Sequence, residues 1–305
     1  MSLDSIFSLG QSALELGLIT SLTVLALFLS YSMLNVCDLS TDGCFTLGAI
    51  AGHPYLSIAA AMAAGIASGF ITAILQTKMG INSLLAGIIV NTGLYSINIA
   101  VMSGSSILNM NKTDTVFTKM AALLKDTPVA RQSKLFVAII AVAAVAVILG
   151  LFLKTRLGLA IRATGDNPDM VRSSSVNPAF TTIIGLCVAN SFTALSGCLL
   201  AQSQRSVNID IGTGMVTIAL ASLLIGGVFL GRKKMPLRIF GMVLGAFIFR
   251  LIYTIALRFD MPAFMLKFVS SVIVIAAIAT PYFKKQLPLL KRRIQTRSGR
   301  RKADA

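Results

Sequence analysis

The chain has 305 residues, of which 55% are hydrophobic and only 12% are charged, and its mean hydropathy is +0.83. Soluble domains carry about 25% charged residues, so this composition excludes a water-soluble globule. The formal net charge of +16 would suit a nucleic-acid-binding protein, but Trp is absent and no basic stretch is interleaved with the aromatic residues that a stacking platform needs, which excludes that class as well.

Long apolar runs occur along the whole chain and leave no room for a separate catalytic domain. Because a bilayer core of about 30 Å requires roughly 20 apolar residues per helix, the runs predict eight membrane-spanning helices. These are expected near residues 12–34, 55–77, 82–103, 134–153, 179–201, 213–230, 239–257 and 263–281. The predicted fold is an all-α polytopic membrane protein, with residues 1–283 forming one transmembrane domain.

A shorter apolar piece lies between the first two runs, in DLSTDGCFTLGAIAGHP at 38–54. It follows two aspartates and is too short to cross a bilayer alone, so a broken or re-entrant helix is predicted near 38–53. If this segment completes a crossing, the chain makes about nine passes and the N-terminus lies outside. If it only dips into the bilayer, the N-terminus lies inside, and the sequence leaves both alternatives open.

Basic residues are distributed unevenly between the predicted loops. Eighteen Lys and Arg residues fall at Lys78, in the loops 154–172 and 231–238, and in the tail from Lys284, whereas the opposite loops hold seven. Loops rich in Lys and Arg stay in the cytoplasm. The first group, including the basic tail 284–305, is therefore predicted to be cytoplasmic, with the tail close to anionic lipid.

Two loops are long enough to hold structure of their own. In the external loop 104–134, VFTKMAALLKD places Phe117, Met120 and Leu124 on one helical face, which predicts an interfacial helix. In the cytoplasmic loop 154–178, the apolar residues from Leu157 to Ala163 alternate too quickly for a clean amphipathic helix.

Further along the same cytoplasmic loop, ATGDNPDMVR has the features of a helix start. Asp166 or Asn167 would be the N-cap, Pro168 the first residue, and Asp169 would lie in the first turn. The residues alone leave open whether this short capped helix is a functional element or an ordinary connector.

The segment TRLGLAIRATGDNPD resembles the cytoplasmic loop of the permeases of ATP-binding-cassette importers for branched-chain amino acids and simple sugars. The resemblance continues through the segments at 38–43, 183–204, 220–231 and 242–267, and it is strongest to the tryptophan- and tyrosine-type transport permeases. It implies that the loop holds a coupling helix, which docks on an ATPase. The implied coupling residues are Arg162, Thr164, Gly165, Asp166, Asn167, Pro168, Asp169 and Arg172.

The same resemblance implies the partners and the setting of the chain. The implied partners are two copies of an ATPase subunit, a second permease subunit in a homodimer, and an extracellular or periplasmic solute-binding protein. The implied location of the chain is a bacterial inner membrane. The chain has no GxxxxGK[ST] phosphate loop. It is therefore expected to bind no cofactor and to be no enzyme, with ATP and Mg held by the partner. The implied solute is an amino acid, with an aromatic one favoured.

Polar residues within apolar runs are costly in lipid and mark candidate solute contacts. The candidates for the translocation path are Asp38, Ser40, Thr41, Asn91, Asn190 and Gln202. For the residues at 38–41 the alternative is that they cap the following half helix, and for Asn190 it is close helix packing. No metal site is expected, because the chain has one His. A stand-alone secondary transporter or channel is the alternative function.

Overall fold

The computed structural model describes residues 3–49, 55–111, 114–123, 132–230 and 234–258, with a few further positions between 265 and 279. In chain order the helices are α1 (Leu3–Leu27), α2 (Thr41–Ala49), α3 (Leu56–Thr77), α4 (Ser83–Val101), α5 (Val116–Leu123), α6 (Ser133–Phe152), α7 (Arg156–Asp166), α8 (Pro168–Ser173), α9 (Pro178–Gln204), α10 (Met215–Leu230) and α11 (Met235–Arg258). Two strands, β1 (Ile107–Asn109) and β2 (Ser206–Asn208), form one antiparallel ribbon.

Seven of the described helices are long and apolar enough to cross a bilayer. They correspond to the first seven predicted spans, which confirms an all-α polytopic membrane protein. The eighth predicted span, at 263–281, lies mostly outside the described residues, as does the basic tail 284–305. Apolar side chains of α3, α4 and α6 remain largely exposed, as expected for helices whose outer surface meets lipid.

Helix α9 forms the centre of the bundle, and most of its residues are buried against α1, α2 and α3. On α3, Gly65 and Gly69 lie four residues apart and pack directly on backbone carbonyl groups of α9. A side chain at either glycine would collide with that backbone. Small residues at this spacing allow membrane helices to approach closely. Van der Waals packing then stabilises the pair of helices, because the hydrophobic effect does not drive helices together within lipid.

The predicted broken segment is a short helix after a non-helical stretch. Helix α1 continues as a π-helix over Phe28–Met33, residues 35–38 have no regular structure, and α2 is only nine residues long. Leu34 packs beside Gly165 of α7, whereas Ser57, in the first turn of α3, bonds to Gln202 near the far end of α9. The chain between them crosses the bundle, so the structure supports a completed crossing.

We call the two ends of the bundle the α7 end and the ribbon end. At the ribbon end, β1 pairs with β2, so that Leu108 lies opposite Val207. Helix α5 packs on this end with Phe117 only 4% exposed, and Met120 also contacts the core. Its apolar face therefore contacts the protein, while Leu124 lies outside the described residues.

The prediction that the alternation from Leu157 to Ala163 is too quick for a clean amphipathic helix was wrong. Helix α7 begins at Arg156, after Thr155, whose hydroxyl accepts a hydrogen bond from Gly158 N. Gly158, Ile161 and Thr164 are buried at a spacing of three residues, which is a helical pattern. Alternating Leu157 and Leu159 obscured it, because both of these side chains are exposed.

Candidate functional site

The predicted coupling segment, α7 and α8, is attached to the bundle at its first helix. Ile161 is fully buried, and the hydroxyl groups of Thr164 and Thr181 lie 2.8 Å apart in a buried contact between α7 and α9. Gly165 packs on the backbone of Met33 and Leu34 at the end of α1. Two of the predicted coupling residues, Thr164 and Gly165, therefore connect the segment to α9 and α1.

The tip of the segment projects away from the bundle. The side chain of Asn167 accepts hydrogen bonds from Asp169 N at 3.1 Å and Met170 N at 3.0 Å, with Pro168 as the first residue of α8. This confirms the predicted helix start and selects Asn167 as the cap. The side chains of Asp169 and Arg172 lie 3.8 Å apart and are largely exposed. Asp166, Asn167 and Pro168 are exposed as well, whereas Arg162 is half-buried.

The path candidates from the broken segment meet one another inside the bundle. Asn190 Nδ2 donates to Asp38 Oδ2 at 3.0 Å and lies 3.1 Å from Ser40 Oγ, while Ser40 N donates to Asp38 Oδ1 at 2.8 Å. The Thr41 hydroxyl donates to the backbone oxygen of Asp38 at 3.0 Å. Asp38 is 1% exposed. This cluster joins the non-helical stretch to the middle of α9, and such buried polar groups are stable only when they are hydrogen-bonded.

A second carboxylate connects α2 to α10. Asp42 Oδ2 accepts a hydrogen bond from Gly214 N at 3.0 Å, and Asp42 Oδ1 accepts one from Val216 N at 2.9 Å. Because the first amide groups of a helix have no partner within the helix, Asp42 acts as a side-chain cap for α10 supplied by another helix. Movement of α2 is thereby linked to α10.

Next to Asp42, a polar pocket of about 260 Å³ opens between α2, α4 and the 3₁₀ turn Ile209–Gly212. Asn98 donates to the Gly43 carbonyl oxygen at 3.1 Å, but its buried Oδ1 atom has no hydrogen-bond partner among the described residues. The residues that line the pocket are Asp42, Gly43, Thr46, Asn91, Thr92, Tyr95, Asn98, Ile209 and Thr213. We call this the α2–α4 pocket.

The side chains that line the α2–α4 pocket are suited to hydrogen bonding with a solute. Both oxygens of Asp42 already accept backbone hydrogen bonds, so the remaining polar groups are neutral amides and hydroxyls. Within the described ranges, no three His, Cys, Asp or Glu side chains are grouped to hold a metal ion. Such a surface can bind and release a polar solute without forming a covalent intermediate.

The structure separates the predicted path residues into three places. Asp38, Ser40, Thr41 and Asn190 form the buried cluster, and Asn91 lines the α2–α4 pocket. Gln202 lies near the ribbon end, where its Nε2 donates to Ser57 Oγ at 2.8 Å and its Oε1 accepts from Val116 N at 2.9 Å. Gln202 therefore connects α9 with α3 and α5.

Sequence reasoning missed several residues of the α2–α4 pocket. Asn98 is not among the predicted path candidates, and Tyr95 and Thr213 carry no signal in the sequence because hydroxyl groups are common in membrane helices. A helical-wheel comparison could have found the first two, because Asn91, Tyr95 and Asn98 follow one another at intervals of four and three residues on one face of α4.

The family model described as "Branched-chain amino acid transport system / permease component" matches residues 11–278. A tyrosine transport system permease protein of Clostridioides difficile is 30% identical over 277 residues, which cover 88% of this chain and 90% of that protein. An uncharacterized protein of Rickettsia prowazekii is 31% identical over 70% of this chain and 75% of its own length.

A more distant relative is an autoinducer 2 import system permease protein of Yersinia enterocolitica. It is 24% identical over 73% of this chain and 59% of its own length. No solved structure matches the chain.

Proposed function

The chain belongs to the family of permease components of branched-chain amino acid transport systems, and from this premise we propose that it is the permease subunit of an ATP-binding-cassette importer. It moves a small solute inward by alternating access. The energy comes from two copies of a separate ATPase subunit, which bind ATP and Mg, while this chain binds no cofactor. A solute-binding protein on the outer side of a bacterial inner membrane delivers the solute.

The exposed tip of α8 is the observation that carries the coupling part of the proposal. Asn167, Pro168 and Asp169 form a well-capped helix start that is exposed to solvent. The preceding helix connects this tip to α9 through Thr164 and to α1 through Gly165. A protein bound at the tip could therefore displace two membrane helices directly. The basic residues around the α7 end support a cytoplasmic position for this end, and the proposal puts the tail 284–305 on the same side.

Helix α4 supports a second copy of the chain as partner. Thr92, Gly93, Tyr95 and Ser96 are exposed within a membrane-spanning helix, where polar side chains are costly against lipid. A homodimer in which α4 faces the second copy covers these residues. It also brings the α2–α4 pockets of both copies next to a shared path for the solute.

The proposed solute is an amino acid, with an aromatic one such as tyrosine or tryptophan favoured by the similarity to the tyrosine transport permease. Neutral amide and hydroxyl groups in the α2–α4 pocket suit a polar solute that has to leave again. The binding protein determines most of the affinity in this arrangement. Thermal-shift screening of that protein with single amino acids identifies the solute, with autoinducer 2 as a comparison.

Reconstitution with the partner ATPase tests the coupling role. Asp166→Ala combined with Pro168→Ala should reduce solute uptake and solute-stimulated ATP hydrolysis, while the amount of chain in the membrane stays unchanged. Ser173→Ala, at the end of the same helix, is the matched control and should retain both activities. Unchanged uptake and stimulated hydrolysis in the double variant would reject the coupling assignment.

Purification in mild detergent tests the partner. An ATPase of the cassette type should remain bound to the wild-type chain and should dissociate from the double variant. Ion-driven uptake by the chain alone, without any ATPase, would instead establish a secondary transporter.

A further inference from the structure

A long apolar groove lies on the outer surface of the bundle, far from the α2–α4 pocket. It has a volume of about 470 Å³ and runs between α6 and α11, with Leu18 of α1 at its base. Its lining along α6 extends from Ile139 to Lys154, which corresponds to roughly 22 Å at the rise of an α-helix. One leaflet contributes about 15 Å to the hydrocarbon core, so the groove is long enough for a complete acyl chain.

Small residues create the depth of this groove. A Cβ atom at Gly150 of α6 would contact Ile239 Cδ1 of α11 at 3.5 Å, and Ala143 and Ala146 line the same side. Val147 is 60% exposed, although α6 is an apolar membrane-spanning helix. In a bilayer such a surface is covered by hydrocarbon, since water does not occupy the core.

Positive charge is concentrated at the α7 end of the groove. Lys154 is the one charged residue of its lining, and the exposed Lys234 directly precedes Met235, another lining residue. Arg172–Asp169 is the one ion pair within 4.0 Å among the described residues, so no described carboxylate neutralises either lysine. Juxtamembrane lysines of this kind attract anionic lipid headgroups.

The nearby Arg238 adds to this charge. Its guanidinium group stacks over the Phe28 ring, and Nη2 donates to Ser32 Oγ at 3.3 Å. Its Nε atom is buried and has no hydrogen-bond partner in the part of the chain that the structure describes. The groove is therefore apolar along its length and cationic at one end, which matches the chemistry of a lipid with a negative headgroup and not that of a neutral one.

We propose that this groove binds one acyl chain of an anionic phospholipid, with the phosphate group held by Lys154 and Lys234. The bound chain fills the space between α6 and α11 and contacts α1 at Leu18. The lipid thereby joins three helices at the end of the bundle that also carries α7.

Lipid retention by the purified full-length chain tests the proposal. Native mass spectrometry would compare phosphatidylglycerol with phosphatidylcholine, both added to the detergent-solubilised protein. Wild type should prefer phosphatidylglycerol. Lys154→Gln combined with Lys234→Gln should reduce this preference by roughly 10- to 30-fold, and it is not expected to affect folding because both side chains are exposed.

Two single variants, Lys78→Gln and Ala67→Leu, provide the matched controls. Lys78→Gln removes an exposed lysine at the end of α3 and should leave the preference unchanged. Gly150→Leu fills the groove and should abolish retention of both lipids, whereas Ala67→Leu, at an exposed position of α3, should retain them. Equal retention of both lipids by wild type would overturn the proposal, and so would an equal loss of preference in Lys78→Gln.

Photo-labelling identifies the occupant directly. Phosphatidylglycerol with a photoactivatable acyl chain, supplied in vesicles, should label residues 139–154 and 235–243 preferentially. Uniform labelling of all exposed helices would overturn the proposal. Protection of the groove by a second copy, or by another segment of the same chain, would overturn it as well.

Discussion

The hydroxyl oxygens of Thr164 on α7 and Thr181 on α9 lie 2.8 Å apart, and this contact is the direct polar link between the coupling segment and the central helix. Because each hydroxyl has one proton, one of them donates to the other in this contact, and the second donates to the carbonyl group of its own helix, which is Ala160 for Thr164 and Pro178 for Thr181. When the contact between the two side chains breaks, each hydroxyl can still donate to the carbonyl group of its own helix. A link of this kind can hold two helices together and still release them.

Replacing this link should affect transport more than folding. Thr164→Val is expected to lower the free energy of unfolding by about 1 kcal/mol, because Thr181 keeps its carbonyl partner. Uptake per ATP hydrolysed should fall in proteoliposomes. Thr182→Val, which removes a local hydrogen bond to Pro178 on the same helix, is the control. Equal uptake per ATP in both variants would contradict a coupling role for the contact.

The cap of α8 provides a second prediction. Asn167→Ala removes the acceptor for two backbone amides and should destabilise α8 by about 1 kcal/mol. Solute-stimulated ATP hydrolysis should fall because the docking helix loses its first turn. Asn177→Ala removes a similar cap from α9, which extensive packing stabilises. That control should retain stimulated hydrolysis, and a larger loss in the control would contradict the assignment.

The stability effects of changes at Asp38 and Asn190 in the buried cluster should not be additive. Asn190→Ala removes a donor from a buried carboxylate and should destabilise the protein by about 2–3 kcal/mol. Asp38→Asn combined with Asn190→Ala should cost less than the sum of the two single changes. Denaturation in detergent measures all three variants. Ser191→Ala is the control, because its hydroxyl bonds only to Val188 of the same helix; strict additivity would argue against the pairing.

A change in a side chain that lines the α2–α4 pocket should alter the KM for solute uptake more than the stability of the protein. Asn91→Ala should raise the KM for solute uptake several-fold, while the free energy of unfolding changes by about 0.5 kcal/mol or less. Ser83→Ala, at the start of the same helix and outside the pocket lining, should leave KM unchanged. Uptake kinetics in proteoliposomes measure both variants. An unchanged KM for Asn91→Ala would remove this residue from the solute path.

The sequence predicted features that depend on neighbouring residues. Apolar runs identified the first seven spans, since the bilayer imposes both length and composition. The cap at Asn167 was predictable because its donors lie two and three residues away. The breakdown of helical structure before α2 followed from two aspartates beside a short apolar piece.

Contacts between distant residues could not be predicted in this way. Asp42 bonds to Val216 across 174 positions, and β1 pairs with β2 although the whole of α6 to α9 lies between them. Neither partner has an unusual sequence context. Helix α7 was missed for another reason, because exposed leucines on its outer face concealed the buried spacing of Gly158 and Ile161.

Helix α9 has 27 residues without interruption, which gives a length of roughly 40 Å against a hydrocarbon core of about 30 Å. Near its first turn, Thr181 contacts the coupling segment, and near its last turn, Gln202 bonds to α3 and α5. One continuous helix thus contacts the predicted coupling segment at the α7 end and helices α3 and α5 at the ribbon end. In the proposed importer, solute delivery at the ribbon end and nucleotide binding at the α7 end would act on opposite ends of this helix, so each event would affect the other.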